Sequence, residues 1–207
     1  MAEKIINDFN NLINEKVSPE GKRKVLIAAI ELFSEQGFEK TSTAQISERS
    51  GMSEGTIFKY FKSKKELLND ILTPVINDLL PNYGREVIND NIQNKTSLED
   101  VLKYTIKDRM EFIYLNQNIL KILSTEMMVN DTILLEIRNS FKPLYENTKY
   151  DLNELLNDTN LTFDEIIRLI AGHLLFEFLK MTKFDIESYD LEKETKSVTK
   201  VILNSLN

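Results

Sequence analysis

The feature that most restricts the fold lies between Ser18 and Glu66, where helix start and stop signals recur at intervals that leave room only for small helices. Ser18-Pro19-Glu20 places a hydroxyl cap, a proline at the first helical position and an acid in the first turn. This predicts a helix over about 19–36, with Val25, Leu26, Ala29, Leu32 and Phe33 on one stripe and Gly37 as a left-handed stop. Thr41-Ser42-Thr43 offers hydroxyl caps to a very short second helix, AQISERS, that ends at Gly51. Ser53 caps a third, EGTIFKYF. Two short helices around a glycine-containing turn form the helix-turn-helix pattern. Ala44, Ile46, Ile57 and Phe61 are expected to pack on the first helix, leaving Gln45, Ser53, Thr56 and Lys59 outward.

Ser63-Lys64-Lys65-Glu66 then reads as a capping box: the serine accepts from a backbone N–H and Glu66 reaches back. The stripe of the fourth helix runs Leu67, Leu68, Ile71, Leu72, Val75, Ile76 and Leu79, so Pro74 is expected to kink this helix before Pro81 and Gly84 end it. Apolar spacing predicts further helices near 98–116, 117–128, 131–157, 163–183 and 187–206. Ile5, Phe9, Leu12 and Ile13 make the first sixteen residues either a short amphipathic helix or a frayed leader. Gly and Pro are scarce, at 6 and 4 of 207 residues, which favours helices over a turn-rich sheet protein. The expected class is all-α: an N-terminal three-helix helix-turn-helix unit, residues 1–64, joined through a long helix to a larger helical domain, residues 65–207.

Cysteine is absent, so disulfides, thiolate nucleophiles and cysteine metal sites are excluded. No apolar run reaches bilayer length and MAEKIINDFNN lacks the pattern of a signal peptide, so the expected location is cytoplasmic, with no membrane partner. No P-loop, Rossmann glycine fingerprint, HExxH or GxSxG element occurs; neither an enzyme nor a cofactor is expected. The net charge of −7 argues against nucleic acid until its distribution is considered. Residues 40–65 hold Lys40, Arg49, Lys59, Lys62, Lys64 and Lys65 against Glu48 and Glu54, a local charge of +4 that leaves −11 elsewhere. A basic island on an acidic body meets DNA with one face.

The stretch TSTAQISERSGMSEGTIFKYFKSKKELL resembles the DNA-binding signature of the TetR family, with unlike features in register: hydroxyl cap, short helix, glycine turn, serine cap, Gly-Thr, aromatic pair, then Ser-Lys-Lys-Glu. The resemblance covers about residues 22–72. It implies that Ser53 to Phe61 form the recognition helix, entering the major groove N-terminus first. Ser53 and Gly55 lie at its entry, Gly55 letting the backbone approach, Thr56 meeting a base edge or phosphate and Lys59 reaching furthest. It places Thr43 and Gln45 at the backbone and groove edge, and Tyr60 and Lys64 on phosphates beside the start of the fourth helix. Lys22, Arg23 and Lys24 add backbone charge. Family members often carry tyrosine where Phe58 stands, so that phosphate hydrogen bond is lost. Glu54 either accepts from cytosine or favours the helix dipole.

The resemblance further implies a homodimer on palindromic operator DNA, built from the last two helices of each subunit. The segment TFDEIIRLIAGHLLFEFLKMT, apolar nearly all round, fits burial on more than one side. His173 and Glu177, four apart on it, are placed to meet as half of a metal site, a ligand anchor or a satisfied pair; with one histidine in the chain, no metal is expected. Phe112, Phe141, Tyr145 and Phe176 are either core or the walls of a pocket for an apolar small-molecule effector. The implied function is a transcription repressor released from its operator by that effector. The alternatives are a helical interaction protein that has lost DNA binding, or a small enzyme.

Overall fold

A computed structural model describes residues 19–79, 81, 97–152, 154–156, 159–184 and 188–206. The leader helix over 1–16, the Ser18 cap and Gly84 lie outside the described residues. The protein is all-α: α1 (Glu20–Gln36), α2 (Thr43–Ser50), α3 (Glu54–Tyr60), α4 (Lys64–Pro74) continued by a π turn (Val75–Leu79), α5 (Leu98–Leu115), α6 (Gln117–Val129), α7 (Asp131–Leu152), a 3-10 turn (Glu154–Leu156), α8 (Phe163–Thr182) and α9 (Leu191–Asn204). Among the described residues no helix is long and apolar enough to cross a membrane. Contacts divide the chain into two compact units, one of residues 3–80 with 118–140, the other of 81–117 with 141–207.

The first unit is built on α1. Val25, Leu26, Ala28, Ala29, Leu32 and Phe33 face one core with Ile46, Ile57, Phe61, Leu67, Leu68, Ile71 and Leu72, and α6 adds Ile119, Ile122 and Leu123. Ala44 departs from expectation: it is exposed. It stands two positions before Ile46, which at 3.6 residues per turn sets it on the opposite face; Thr43 and Ser50 flank the buried side instead. Gly37 has the expected positive φ of 88°, but its ψ of 158° is extended, so it ends α1 by redirecting the chain and not by the left-handed cap. Pro19 takes the N-cap position of α1. Pro74, which has no N–H, ends the regular part of α4, and the chain continues as the π turn, the expected disturbance without a stop.

The second unit packs Leu98, Leu102, Ile106 and Met110 of α5 against Ile166 of α8 and Val198 and Ile202 of α9. Thr162 caps α8 through a full capping box with Glu165. The outer stripe of α8 stays bare, with Ala171, Gly172, Leu175 and Phe176 exposed. Phe184 and Val201 are exposed as well.

In the first unit α6 carries one buried acid, Glu126, only 6% exposed. Its pKa is raised, first by burial and then by the charge of Glu39, against the opposing hydrogen bond of Asn130 and the charges of Lys64 and Lys65. A carboxyl whose folded pKa is raised favours the fold below its unfolded pKa, and that contribution is lost as pH rises through the folded value. Glu126→Gln keeps the shape and removes the ionisation. It should therefore melt above the native chain at neutral pH, with the gap closing as thermal melts are repeated toward pH 4; a gap that stays constant with pH would contradict this.

Candidate nucleic-acid interface

Two helices of eight and seven residues cannot sustain themselves by propensity, so their ends decide whether they form. Ser42 caps α2 by accepting from Gln45 N–H, while Gln45 Oε1 accepts from Ser42 N–H at 2.8 Å. Gly51 closes α2 in the left-handed conformation, φ 68° and ψ 16°. Ser53 then caps α3, accepting from Thr56 N–H at 3.1 Å, with the two hydroxyls 2.9 Å apart. Ser63 accepts from Glu66 N–H, but Glu66 Oε2 takes its bond from Lys62 N–H at 2.7 Å, one residue before the position the capping box predicts.

These caps orient α3 with Ile57 buried and Glu54, Gly55, Phe58 and Lys59 exposed. A Cβ added to Gly55 would meet nothing nearer than Ser53 Oγ at 3.8 Å, so nothing inside the protein demands glycine there. Phe58 is 49% exposed, an unusual place for a phenyl ring. Tyr60 is half-buried; its hydroxyl lies 3.0 Å from where a Cβ on Gly21 would stand, so a side chain at residue 21 would displace the end of the ring by a few tenths of an ångström. Thr43 donates its hydroxyl to Glu54 at 2.7 Å, tying the start of α2 to the start of α3. No local spacing rule exposes that pair, because it bridges two helices. Gln36, which the sequence reading did not single out, donates to Thr41 Oγ1 at 3.2 Å and to Gln45 Oε1 at 3.1 Å, so Gln45 is held from α1.

The basic island divides in two. Arg49 bridges Glu31 at 3.1 Å and Glu35 at 3.2 Å, both on α1. Glu35 lies below its ordinary pKa because of its hydrogen bond to Arg49. Lys22 pairs with Asp70, and Lys24 with Glu20, each at 2.8 Å. Lys64 donates to the carbonyls of Phe38 at 2.7 Å and Thr41 at 2.8 Å. Lys40, Lys59, Lys62 and Lys65 are exposed and form no ion pair among the described residues. The charge available to a polyanion is thus carried by four lysines around α3 and the start of α4.

The residues expected at an effector site are not drawn together. His173 Nδ1 lies 2.7 Å from the carbonyl of Leu169, one turn back. Glu177 is buried and accepts from the Tyr189 hydroxyl at 2.7 Å and from Lys180 at 3.1 Å, while Lys180 also reaches Glu194 at 2.7 Å. The His173–Glu177 contact allowed by their spacing is replaced by these partners. Burial, and next the Glu177 hydrogen bond, raise the Tyr189 pKa, keeping that phenol protonated. Phe112 is buried, Phe141 is half-buried, Tyr145 donates to Asp164 and packs edge-on against Phe163, and Phe176 is exposed against Phe184. A cleft of about 280 Å³ lies elsewhere, lined by Lys65, Asn69, Thr73, Asn130, Thr132 and Glu136 with Leu72 and Ile133; none of the six expected residues borders it.

Comparison with known proteins follows the same division. The sequence profile of bacterial regulatory proteins of the tetR family matches residues 25–71, α1 through α4. The fatty acid metabolism regulator protein of Bacillus subtilis is 20% identical over 193 residues, covering 89% of this chain and 94% of its own. The HTH-type transcriptional regulator AcrR of Shigella flexneri is 22% identical over 193 residues, covering 89% and 88%. Among solved structures, the transcriptional regulator FadR of Bacillus subtilis in complex with stearoyl-CoA superposes with a TM-score of 0.64 at 20% identity, covering 89% of this chain and 98% of that one. NalD of Pseudomonas aeruginosa, a repressor of the MexAB-OprM multidrug efflux pump, gives 0.63 at 20%, covering 90% and 96%. These likenesses establish the fold across both units, and the matched capped helices establish its DNA-binding part. Residues 25–71 thus match the tetR family of bacterial regulatory proteins, the whole chain shares its fold with transcription regulators, and the protein is a DNA-binding transcription regulator.

Proposed function

We propose that the chain binds palindromic operator DNA as a homodimer, represses transcription there, and is released by a largely apolar small molecule. The division of labour falls near residue 64, with residues 1–64 reading DNA and 65–207 serving ligand and dimer. The exposed face of α3 carries the reading: Gly55, Phe58 and Lys59 stand outward from a helix whose other side is locked by Ile57. With nothing inside demanding Gly55, its lack of a side chain serves whatever approaches from outside. In a major groove, Lys59 reaches guanine O6 and N7, Thr56 a base edge or phosphate, and Phe58 the methyl group of thymine. Tyr60 adds a phosphate contact from its hydroxyl, and Ser53 and Glu54 keep the entering end capped. Thr43 and Gln45 present the start of α2 to the backbone.

Dimerisation is proposed through α8 and α9, because the stripe of Ala171, Gly172, Leu175 and Phe176 is apolar, bare and small enough at its centre for close helix approach. This moves Phe176 from the pocket to the interface. The effector is proposed to sit within residues 65–207. Since a solved relative by fold holds stearoyl-CoA, a long-chain acyl-CoA is the first compound to try. Glu177 is assigned to the structure, its carboxylate being satisfied by Tyr189 and Lys180. His173 remains the polar group proposed for the effector's head.

Three measurements test this. Lys59→Ala should lose about tenfold or more on a duplex selected by the native chain and much less on random DNA, since a good base contact contributes about 1–3 kcal/mol of discrimination; equal losses would reassign Lys59 to the backbone. Light scattering at micromolar concentration should give a dimer for the native chain and a folded monomer for Leu175→Glu, and a monomeric native chain would contradict the interface. Glu177→Gln should lower stability by about 1–3 kcal/mol while leaving the concentration of acyl-CoA that releases DNA unchanged; a shifted release curve with unchanged stability would make Glu177 a ligand contact.

A further inference from the structure

Lys64 stands at the first position of α4, where the positive end of the helix dipole disfavours a cation unless its charge is used elsewhere. Helical side chains lean toward the N-terminus, so this one extends beyond the helix end over the turn between α1 and α2. There its ammonium donates to Phe38 O at 2.7 Å and Thr41 O at 2.8 Å, lies 3.4 Å from Glu39 O, and sits 4.3 Å above the Phe38 ring. Phe38 is in turn held edge-on against Phe33 of α1, ring centroids 5.3 Å apart. An ammonium has three N–H donors, and three carbonyl oxygens surround this one. Past the end of α1 the carbonyls lack helical partners; the segment is otherwise tied by Thr41 N–H to Phe38 O at 3.2 Å, by Thr41 Oγ1 to Gly37 O at 2.8 Å and by Gln36 to Thr41 and Gln45, and the ammonium adds a second donor to Phe38 O and one to Thr41 O. The next residues, Ser42, Thr43 and Gln45, form the start of α2 and its link to Glu54.

We infer that Lys64 is a positioning residue: its ammonium, seated on the Phe38 and Thr41 carbonyls, sets the α1–α2 turn and so aims the start of α2 at DNA, and it does not hold a phosphate. The inference rests on the operator-binding reading above. A phosphate could take Lys64 only by stripping it from these acceptors, whereas Lys59, Lys62 and Lys65 are free of that competition.

The test uses the full chain, a duplex selected from a random pool by the native protein, and five variants: Lys64→Ala, Lys64→Met, which keeps the stem over Phe38, Lys64→Arg, Gln45→Ala, and Lys64→Met with Gln45→Ala. Affinity is measured across salt, and amide exchange of Ser42 and Gln45 is followed without DNA. Loss of the ammonium should weaken binding about tenfold, as for a charged hydrogen bond, with the salt slope unchanged and faster exchange at Ser42 and Gln45. Arginine should not rescue, because a planar fork cannot meet three converging carbonyls. The double variant should lose no more than the worse of the single variants, the coupling expected when one residue acts through the other. A slope reduced by about 0.9 per subunit with rescue by arginine would make Lys64 a phosphate contact. Unchanged affinity, or unchanged exchange, in both Ala and Met variants would also overturn the inference. If the native chain selects no duplex, the operator reading fails, and exchange alone still judges whether Lys64 holds the turn.

Discussion

The surface proposed to read DNA depends on helices too short to stand alone. With eight residues in α2 and seven in α3, a large share of the N–H donors lies in a first turn that no regular helical hydrogen bond satisfies. Side-chain caps supply the missing acceptors: Ser42 and Gln45 for α2, Ser53 for α3, Ser63 for α4. A single aliphatic anchor per helix, Ile46 and Ile57, then fixes each against α1. Because so little of each helix is buried, the outer faces of both are left for a partner without weakening the core.

The same economy explains the charges. A basic island of six residues has two, Arg49 and Lys64, turned inward to hold the scaffold, one to carboxylates on α1 and one to carbonyls of the following turn. Residue type alone cannot separate these from Lys59 or Lys65. What separates them is reach: Arg49 lies on the side of α2 facing Glu31 and Glu35, and Lys64 stands where a helix begins beside the α1–α2 turn, whose carbonyls converge on its ammonium. Once those partners are engaged, a net-negative chain still presents a local field of unpaired lysines where α3 is bare.

The helix-turn-helix was legible because capping chemistry is local. Serine at 42, 53 and 63 and glycine at 37 and 51 mark boundaries within a few residues, and apolar spacing places α1, α4 and α5 closely. Ala44 is exposed although apolar, because its angular position on α2, opposite Ile46, decides its burial. Pairs bridging elements stayed hidden: Thr43 with Glu54, Gln36 with Gln45, and Glu177 with Tyr189 follow from packing, which no spacing rule encodes. The larger unit was legible only as helices. Its aromatic residues, scattered over α5, α7 and α8, proved to include a buried Phe112 and an exposed Phe176, and sequence periodicity does not tell a ligand wall from a core or an interface.

The most direct measurement is selection from a random duplex pool by the native chain at fixed, moderate salt. The account predicts enrichment of a palindrome whose half-site centres lie about one helical turn apart, 10–10.5 bp, or a multiple of it, as two α3 helices on a two-fold axis require. A pool that stays random, or an enriched single site without symmetry, would contradict it.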